Sequence, residues 1–484
     1  MNGLNELLLD HDGVEPLYRQ LYDQLRQRIL TGKLAPGARM PGTRKLAAAL
    51  GIGRITVIQA YVLLAEEGFL QSRPGAASTV TDAAGQIEAA APAFFEPQLS
   101  PWGKRISSES VQPRPSRPRL EIDFGFGRSF PHIFPYGVWR RLLARYLSTD
   151  DVMLSRYGSP AGFLPLREAL AGYLQRHRGV NCTADQVIIV SGAQQALDLL
   201  ARLLLAPGDE IVVETPGYRD AYQLFLSHGA HLLPRAVDEH GLPVNHLPSG
   251  HRVRLAFVTP SHQFPRGGTL PLERRLALLQ WAQNVNALII EDDYDSELRY
   301  DSRPPSALQG LDSSGHVIYL GTFSKVLFPA LRLGYVVLPP PLVGPFAGAL
   351  ALVDRGAPTL TQAAVADFIA GGHFERHLRH LRAAYGERRA ALVDALDATL
   401  AKEVSYSQMP AGLHVMLMLH EACSEIQVIR DAAAAGVGIY PGAPYYVEHP
   451  APPSILLGFS GLDTAQIKEG IQRLAAVIPR CGTE

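Results

Sequence analysis

A lysine flanked by hydroxyl side chains stands immediately after an apolar segment in the C-terminal half of the chain. Residues 321–325, Gly-Thr-Phe-Ser-Lys, follow the apolar run 317–320, which places Lys325 at the carboxyl end of a predicted strand, where ligands bind in open parallel sheets. A lysine there can form a Schiff base with a phosphorylated aldehyde, so Lys325 is the predicted covalent anchor and catalytic residue. Three nearby side chains are predicted to hold the phosphate: Thr322, Ser324 and Arg332.

Other predicted strands end in side chains that suit an aromatic, phosphorylated ligand. In the acidic run 291–295, Asp292 is the candidate partner of a pyridinium nitrogen, which needs a carboxylate to stay protonated, and Tyr294 can hydrogen-bond a phenolic oxygen. Tyr218 follows another apolar strand and can stack on a ring face. A further strand leads into a helix at a natural phosphate cradle of backbone amides, formed by Gly192, Ala193 and Gln194.

The elements that carry these residues alternate between apolar strands and longer helical patterns. The predicted strands are 187–190, 211–213, 255–258, 288–290, 317–320 and 335–338. Such alternation predicts a mostly parallel sheet covered by helices on both faces. From about Asp367 a long helical region leads to a smaller α+β unit, 413–478.

The N-terminal part shows a different pattern. Apolar residues at four-residue spacing predict a first helix ending near Thr31, a short helix spans 43–50, and a third begins at Arg54. Two helices joined through a glycine-containing turn predict a helix-turn-helix, and 69–80 reads as a two-stranded wing.

The outer face of the third helix carries side chains that can contact DNA. Arg54, Thr56 and Gln59 are predicted to reach base edges in the major groove, and Arg44 and Arg73 to contact phosphates. Residues 14–80 contain nine Lys or Arg and four acidic residues. The alternative is a dimerisation or docking bundle with solvated arginines.

Composition limits the remaining possibilities. The 484 residues exceed one usual core, and the net charge of −1 leaves only a local basic footprint. Three dispersed cysteines show no zinc or disulfide spacing, and no apolar run is long enough to span a bilayer, so we expect a soluble cytoplasmic protein. Because 81–120 is proline-rich and aperiodic, we expect domains at 12–80 and 121–484 joined by a linker, in which the arginine-proline run 113–119 favours an extended backbone.

These motifs resemble known families. Residues 34–41, 54–57 and 67–70 look like the GntR-type winged helix, although Gly53 and Ala77 depart from its usual capping and wing residues. The ordered motifs of the C-terminal part are similar to those of the MocR/GabR family, and the resemblance covers 16–474. It implies a fold-type I aminotransferase-like α/β domain, pyridoxal 5′-phosphate, a domain-swapped homodimer, a double-stranded DNA operator, and an amino compound or pyridoxal phosphate itself as effector.

Two departures from aminotransferases bear on the effector. Residues 453–459 contain no arginine, whereas transaminases of this fold usually carry one there for the substrate carboxylate. Phe264 stands where they usually have an asparagine, so His262 or Gln263 is predicted to take over its hydrogen bond to the cofactor.

Two further patterns are given structural interpretations. His373, His377 and His380 have helical spacing but alternate with arginines, which favours a basic, solvated helix face over a metal site, and no metal is expected. Residues 125–127, Gly-Phe-Gly, lack the strand and helix of a dinucleotide loop.

The sequence is compatible with three functions. The leading hypothesis is a transcription regulator that uses pyridoxal phosphate chemistry for sensing, without physiological turnover. The first alternative is an active aminotransferase with a DNA-binding appendage. The second is a DNA-binding dimer whose large domain has lost its cofactor, which the joint presence of Lys325, Asp292, Tyr218 and Arg332 disfavours.

Overall fold

The computed structural model describes residues 7–71, 77–82, 97–107, 120–127, 132–148 and 155–478. The chain divides into two compact units, 1–98 and 99–484. Among the described residues, no helix combines the length and the apolar character needed to cross a membrane.

The first unit is three helices followed by a short hairpin. The helices are α1 (Leu17–Leu30), α2 (Thr43–Leu50) and α3 (Arg54–Glu66), and strands β1 (Leu70–Gln71) and β2 (Thr79–Val80) pair antiparallel. Gly51 ends α2 in the left-handed conformation at φ 66°, which glycine adopts without steric penalty. The predicted helix bounds and the wing strands are therefore confirmed.

The segment between the predicted domains is not extended throughout. Helix α4 (Pro101–Ile106) is capped at its N-terminus by Ser100, whose hydroxyl accepts a hydrogen bond from the Gly103 amide at 3.1 Å. The Arg105 Nε donates to the carbonyl of Ser227 at 2.7 Å. A serine cap and a proline in the first turn thus begin a short helix within the segment predicted as a linker. The arginine-proline run 113–119 lies outside the described residues.

The centre of the second unit is a seven-stranded sheet in the order β4-β10-β9-β8-β7-β5-β6. Its strands are β4 (Val187–Val190), β5 (Glu210–Thr215), β6 (His231–Ala236), β7 (Val253–Val258), β8 (Leu288–Asp293), β9 (Val317–Thr322) and β10 (Gly334–Val337). Among these seven strands, β10 alone runs in the opposite direction to the other six, antiparallel to both of its neighbours, β4 and β9. The sheet is mostly parallel, as predicted.

Helices pack around this sheet and lead into the C-terminal part. They are α5 (Tyr136–Leu147), α6 (Leu164–Arg178), α7 (Ala193–Leu204), α8 (Arg219–Ser227), α9 (Leu272–Val285), α10 (Pro340–Val353), α11 (Thr359–Ala370) and α12 (His373–Thr399). The interpretation of a fully solvated α12 face was wrong at His377, which is buried with its Nε2 at 2.7 Å from the carbonyl oxygen of Val326. The described residues contain no cluster suited to a metal ion.

The smaller C-terminal part has a four-stranded antiparallel sheet flanked by two helices. In the order β11-β12-β15-β14, its strands are β11 (Val404–Ser405), β12 (His414–Leu419), β14 (Tyr440–Pro441) and β15 (Ser454–Gly458), and the helices are α13 (Glu425–Ala434) and α14 (Thr464–Val477). A separate parallel pair joins β3 (Ile122–Asp123) to β13 (Val437–Gly438). This pairing fixes 122–127 beside the C-terminal part.

Candidate cofactor site and DNA interface

A cavity of about 230 Å³ opens at the carboxyl ends of the central strands. Most of the predicted cofactor residues line it, although they are dispersed over 140 positions of sequence. Its lining consists of Phe126, Gly192, Ala193, Gln194, Tyr218, Thr259, Phe264, Asp292, Tyr294, Thr322, Ser324, Lys325, Pro329 and Arg332. Parallel strands bring these loops to one edge of the sheet, which explains why residues so far apart meet.

The loop after β9 presents Lys325 to the cavity. The Ser324 amide donates to the Thr322 hydroxyl at 3.1 Å, which holds the first turn of this loop. The Lys325 Nζ lies 4.4 Å from the centre of the Phe126 ring, in a cation–π contact. A Cβ on Gly127, where φ is 82°, would stand 3.3 Å from the same nitrogen. The Phe126 ring therefore contacts the lysine, and the absence of a side chain at Gly127 leaves room for it. The sequence had given neither residue a role in the cofactor site.

An anion cradle forms where β4 passes into α7. Gly192 precedes the helix at φ 126°, and a Cβ built there would lie 3.6 Å from both terminal nitrogens of Arg332. The free amides of a helix N-terminus attract anions, and a guanidinium adds forked donors. The close approach of backbone and guanidinium leaves a concave, cationic surface that fits a phosphate group.

Asp292 is the acidic side chain among the described residues that line the cavity. Burial, and after it the charge of the neighbouring Asp293, raises the pKa of its carboxyl to about 8, while Lys325 acts in the opposite direction. A cation placed against a buried carboxyl group stabilises its ionised form and so lowers its pKa. A pyridinium nitrogen is such a cation, so this residue fits the predicted role.

Tyr218 forms one wall of the cavity. Its hydroxyl accepts a hydrogen bond from Gln194 Nε2 at 3.1 Å, and its ring stacks toward Phe257 with 6.4 Å between centroids. Phe264 stands edge-on to it at 6.1 Å. These contacts hold a flat aromatic face against the cavity, the orientation expected of a ring that stacks on a cofactor.

His262 lies next to Tyr294, one of the residues that line the cavity. Instead of lining the cavity, its Nδ1 lies 2.9 Å from the Tyr294 hydroxyl and 3.0 Å from the Asp295 carboxylate. Gln263 is also turned away, with its amide nitrogen 2.9 Å from the Pro216 carbonyl oxygen. His262 thus contacts Tyr294, a residue of the cavity lining, and a hydrogen bond from His262 or Gln263 to the cofactor stays a prediction.

The candidate DNA-contacting residues lie on or beside one face of the first unit. Arg44, Arg54 and Gln59 are exposed and Thr56 is half-buried, while the Arg54 Nε donates to the Thr43 hydroxyl at 3.3 Å. Arg73 lies outside the described residues. The arrangement is that of a helix whose outer side chains remain available to a partner.

Comparison with known proteins agrees with both halves of this geometry. Residues 17–80 match the family model described as bacterial regulatory proteins of the gntR family, and residues 133–474 match the model for aminotransferase class I and II. The fold and site therefore define a winged-helix DNA-binding domain joined to a fold-type I aminotransferase-like domain that binds pyridoxal phosphate.

Individual relatives share the same organisation. The chain is 40% identical over 480 residues to the probable rhizopine catabolism regulatory protein MocR of Rhizobium meliloti, covering 97% of this chain and 95% of the relative. It is 32% identical to the pyridoxine biosynthesis transcriptional regulator PdxR of Corynebacterium glutamicum, covering 92% of each. The chain belongs to the MocR/GabR family of transcriptional regulators.

A solved structure supports the cofactor domain. Kynurenine aminotransferase of Pyrococcus horikoshii, determined with PMP, is 30% identical with a TM-score of 0.72, and the match covers 79% of this chain and 98% of that one.

Proposed function

We propose that this regulator binds operator DNA as a domain-swapped homodimer and senses an amino compound or pyridoxal phosphate itself at the Lys325 cavity. The observation that carries the proposal is the cavity, which combines an amine, an anion cradle and a buried carboxylate in one chain with a DNA-binding unit. When bound, pyridoxal phosphate supplies an electrophilic aldehyde for amines. Lys325 would bind that group, the cradle at Gly192 and Arg332 would orient its phosphate, and Asp292 would hold a proton at the ring nitrogen.

The effector is not an ordinary α-amino acid. Among the described residues that line the cavity, the cationic side chains are Lys325 and Arg332, and both are assigned to the cofactor. Strand β15, where transaminases of this fold usually carry an arginine, is buried and contains none. An α-carboxylate entering here lacks a matched charge, which costs several kcal/mol in a desolvated site.

One contact favours sensing over simple turnover. Helix α8 begins immediately after Tyr218, which lines the cavity, and ends at Ser227, whose carbonyl accepts the Arg105 hydrogen bond. Arg105 belongs to α4, which follows the chain segment leading from the DNA-binding unit. A displacement of Tyr218 on effector binding can therefore reach this segment through nine residues of helix.

The experiment measures operator affinity of the holoprotein with and without a panel of amines and amino acids. We expect at least one amine, or removal of pyridoxal phosphate, to change the affinity severalfold. Arg105→Ala should abolish this change without altering the absorbance of the bound cofactor. A control, Arg202→Ala, removes an exposed arginine of α7 and should leave the response intact.

Two outcomes would contradict the proposal. Operator affinity that is the same in apo, holo and effector-treated protein would remove the sensing function. Sustained transamination of a common α-amino acid, on the order of 1 per second or faster as in typical enzymes, would favour the aminotransferase with a DNA-binding appendage.

A further inference from the structure

An apolar stripe covers the outer face of α3. Ile55, Ile58 and Val62 are 72%, 38% and 47% exposed, whereas Val57 and Leu64 on the same helix are fully buried. Scattered exposed apolar residues are ordinary, but three of them on one short helix form a patch. Among the described residues of this unit, the three side chains lie outside its apolar core.

Helix geometry decides which residues point away from the unit. At roughly 100° per residue, Ile55 and Gln59 project opposite the buried stripe, and Val62 stands one turn further along the same face. Arg54 lies at the flank, where its Nε is held by the Thr43 hydroxyl. Ile55 therefore lies on the outermost part of the helix, and Ile58 lies between Ile55 and Arg54, so both isoleucines are on the side of a recognition helix that contacts base edges, beside Arg54.

The occupant of this face is indicated by the charge of the unit around it. The 14–80 region carries nine basic and four acidic residues, which favours a polyanion over an apolar protein surface. In the major groove the apolar group offered by a base is the C5 methyl of thymine. Resting on the proposed operator binding, we infer that Ile55 and Ile58 read thymine methyl groups and thereby set the sequence preference of the regulator.

The test uses the full chain loaded with pyridoxal phosphate and a double-stranded DNA that this chain has selected from a randomised pool. Each dT of the selected DNA is replaced singly by dU, which keeps all hydrogen-bonding groups and removes only the methyl. At one or two positions of each half-site we expect binding to weaken about fourfold, the factor that corresponds to one buried methyl.

Matched variants assign the effect to the isoleucines. Ile55→Ser and Ile58→Ser should bind the dT and dU probes with a ratio that falls to about one at the corresponding position. Ile426→Ser is the control, because Ile426 is 71% exposed on α13, outside the DNA-binding unit. This variant should retain the full preference for dT.

Different failures have different meanings. If wild-type protein prefers its selected DNA over random DNA yet binds every dU probe as tightly as the dT probe, the thymine assignment is wrong. If Ile55→Ser changes the oligomeric state without DNA, the stripe is a protein contact and the assignment is also wrong. If the wild-type chain enriches no sequence from the pool, operator binding itself fails and the inference fails with it.

Discussion

Replacing Asp292 with asparagine should stabilise the apo form and weaken cofactor binding. The carboxyl has a pKa of about 8 in the fold against 3.8 when unfolded, with burial as the main cause. Between these values the native state binds more protons than the unfolded state, so the stability contributed by this residue falls as pH rises. The free energy of unfolding falls by about 1.4 kcal/mol per pH unit, or on the order of 5 kcal/mol in total at pH 8.

Asparagine cannot ionise, so this loss is absent from the variant. Denaturant unfolding of apo Asp292→Asn and apo wild type should give similar free energies near pH 4 and diverge in favour of the variant toward pH 8. Asp394→Asn, at an exposed position on α12, is the matched control and should follow wild type.

The same variant should bind pyridoxal phosphate at least 100-fold more weakly, because a buried cation that loses its partner is destabilised by about 3 kcal/mol or more. Titration of apo protein, followed by the absorbance of the bound cofactor, measures this loss. Parallel pH curves for the two apo proteins, or unchanged cofactor affinity in Asp292→Asn, would refute the reasoning.

Four further substitutions separate the roles of the two units. Lys325→Ala should lose the cofactor that borohydride traps on the lysine. Because the DNA-binding unit is separate, this variant should keep DNA affinity within about tenfold, roughly 1.4 kcal/mol. A larger loss in a mobility-shift assay would contradict this. Gly192→Ala should weaken pyridoxal phosphate at least about tenfold (~1.4 kcal/mol) while leaving binding of unphosphorylated pyridoxal unchanged, because a side chain at φ 126° is strained against the cradle; equal losses for both ligands would assign the effect elsewhere. Arg54→Ala should weaken operator binding by about 1 to 3 kcal/mol and random DNA less, whereas Arg44→Ala should weaken both alike; equal losses for Arg54→Ala would mean a phosphate contact.

Most of the candidate cofactor residues could be found in the sequence because they lie at the carboxyl ends of buried strands of the central sheet. Such strands are continuously apolar, so the polar residue that ends them is conspicuous in sequence. Strand β6 was missed since it is a half-buried edge strand interrupted by Pro234, and its pattern is neither continuous nor alternating. Phe126 was missed for another reason: its position depends on the pairing of β3 with β13, more than 300 residues away in sequence.

Side chains one layer behind the cavity were the least predictable. The phenylalanine at position 264 led to the prediction that His262 or Gln263 contacts the cofactor, but the sequence could not reveal that His262 is hydrogen-bonded to the Tyr294 hydroxyl. The burial of His377 could not be predicted either. Its helical spacing with His373 and His380 does not reveal that its ring is buried and hydrogen-bonded to the Val326 carbonyl. Periodicity locates a face of an element, while the partner that covers that face comes from elsewhere in the chain.

The acidic run at the end of β8 shows how the fold selects one carboxylate for the cofactor. Glu291 accepts hydrogen bonds from the Leu308 and Gln309 amides at 2.8 and 2.9 Å, and Asp293 pairs with the buried Arg178 at 2.8 Å. These two residues share one face of the strand, since side chains alternate. Asp292 points to the opposite face and into the cavity. Because its neighbours are already engaged by backbone amides and a guanidinium, Asp292 is the carboxylate of this strand that the fold leaves for a cation from outside the chain.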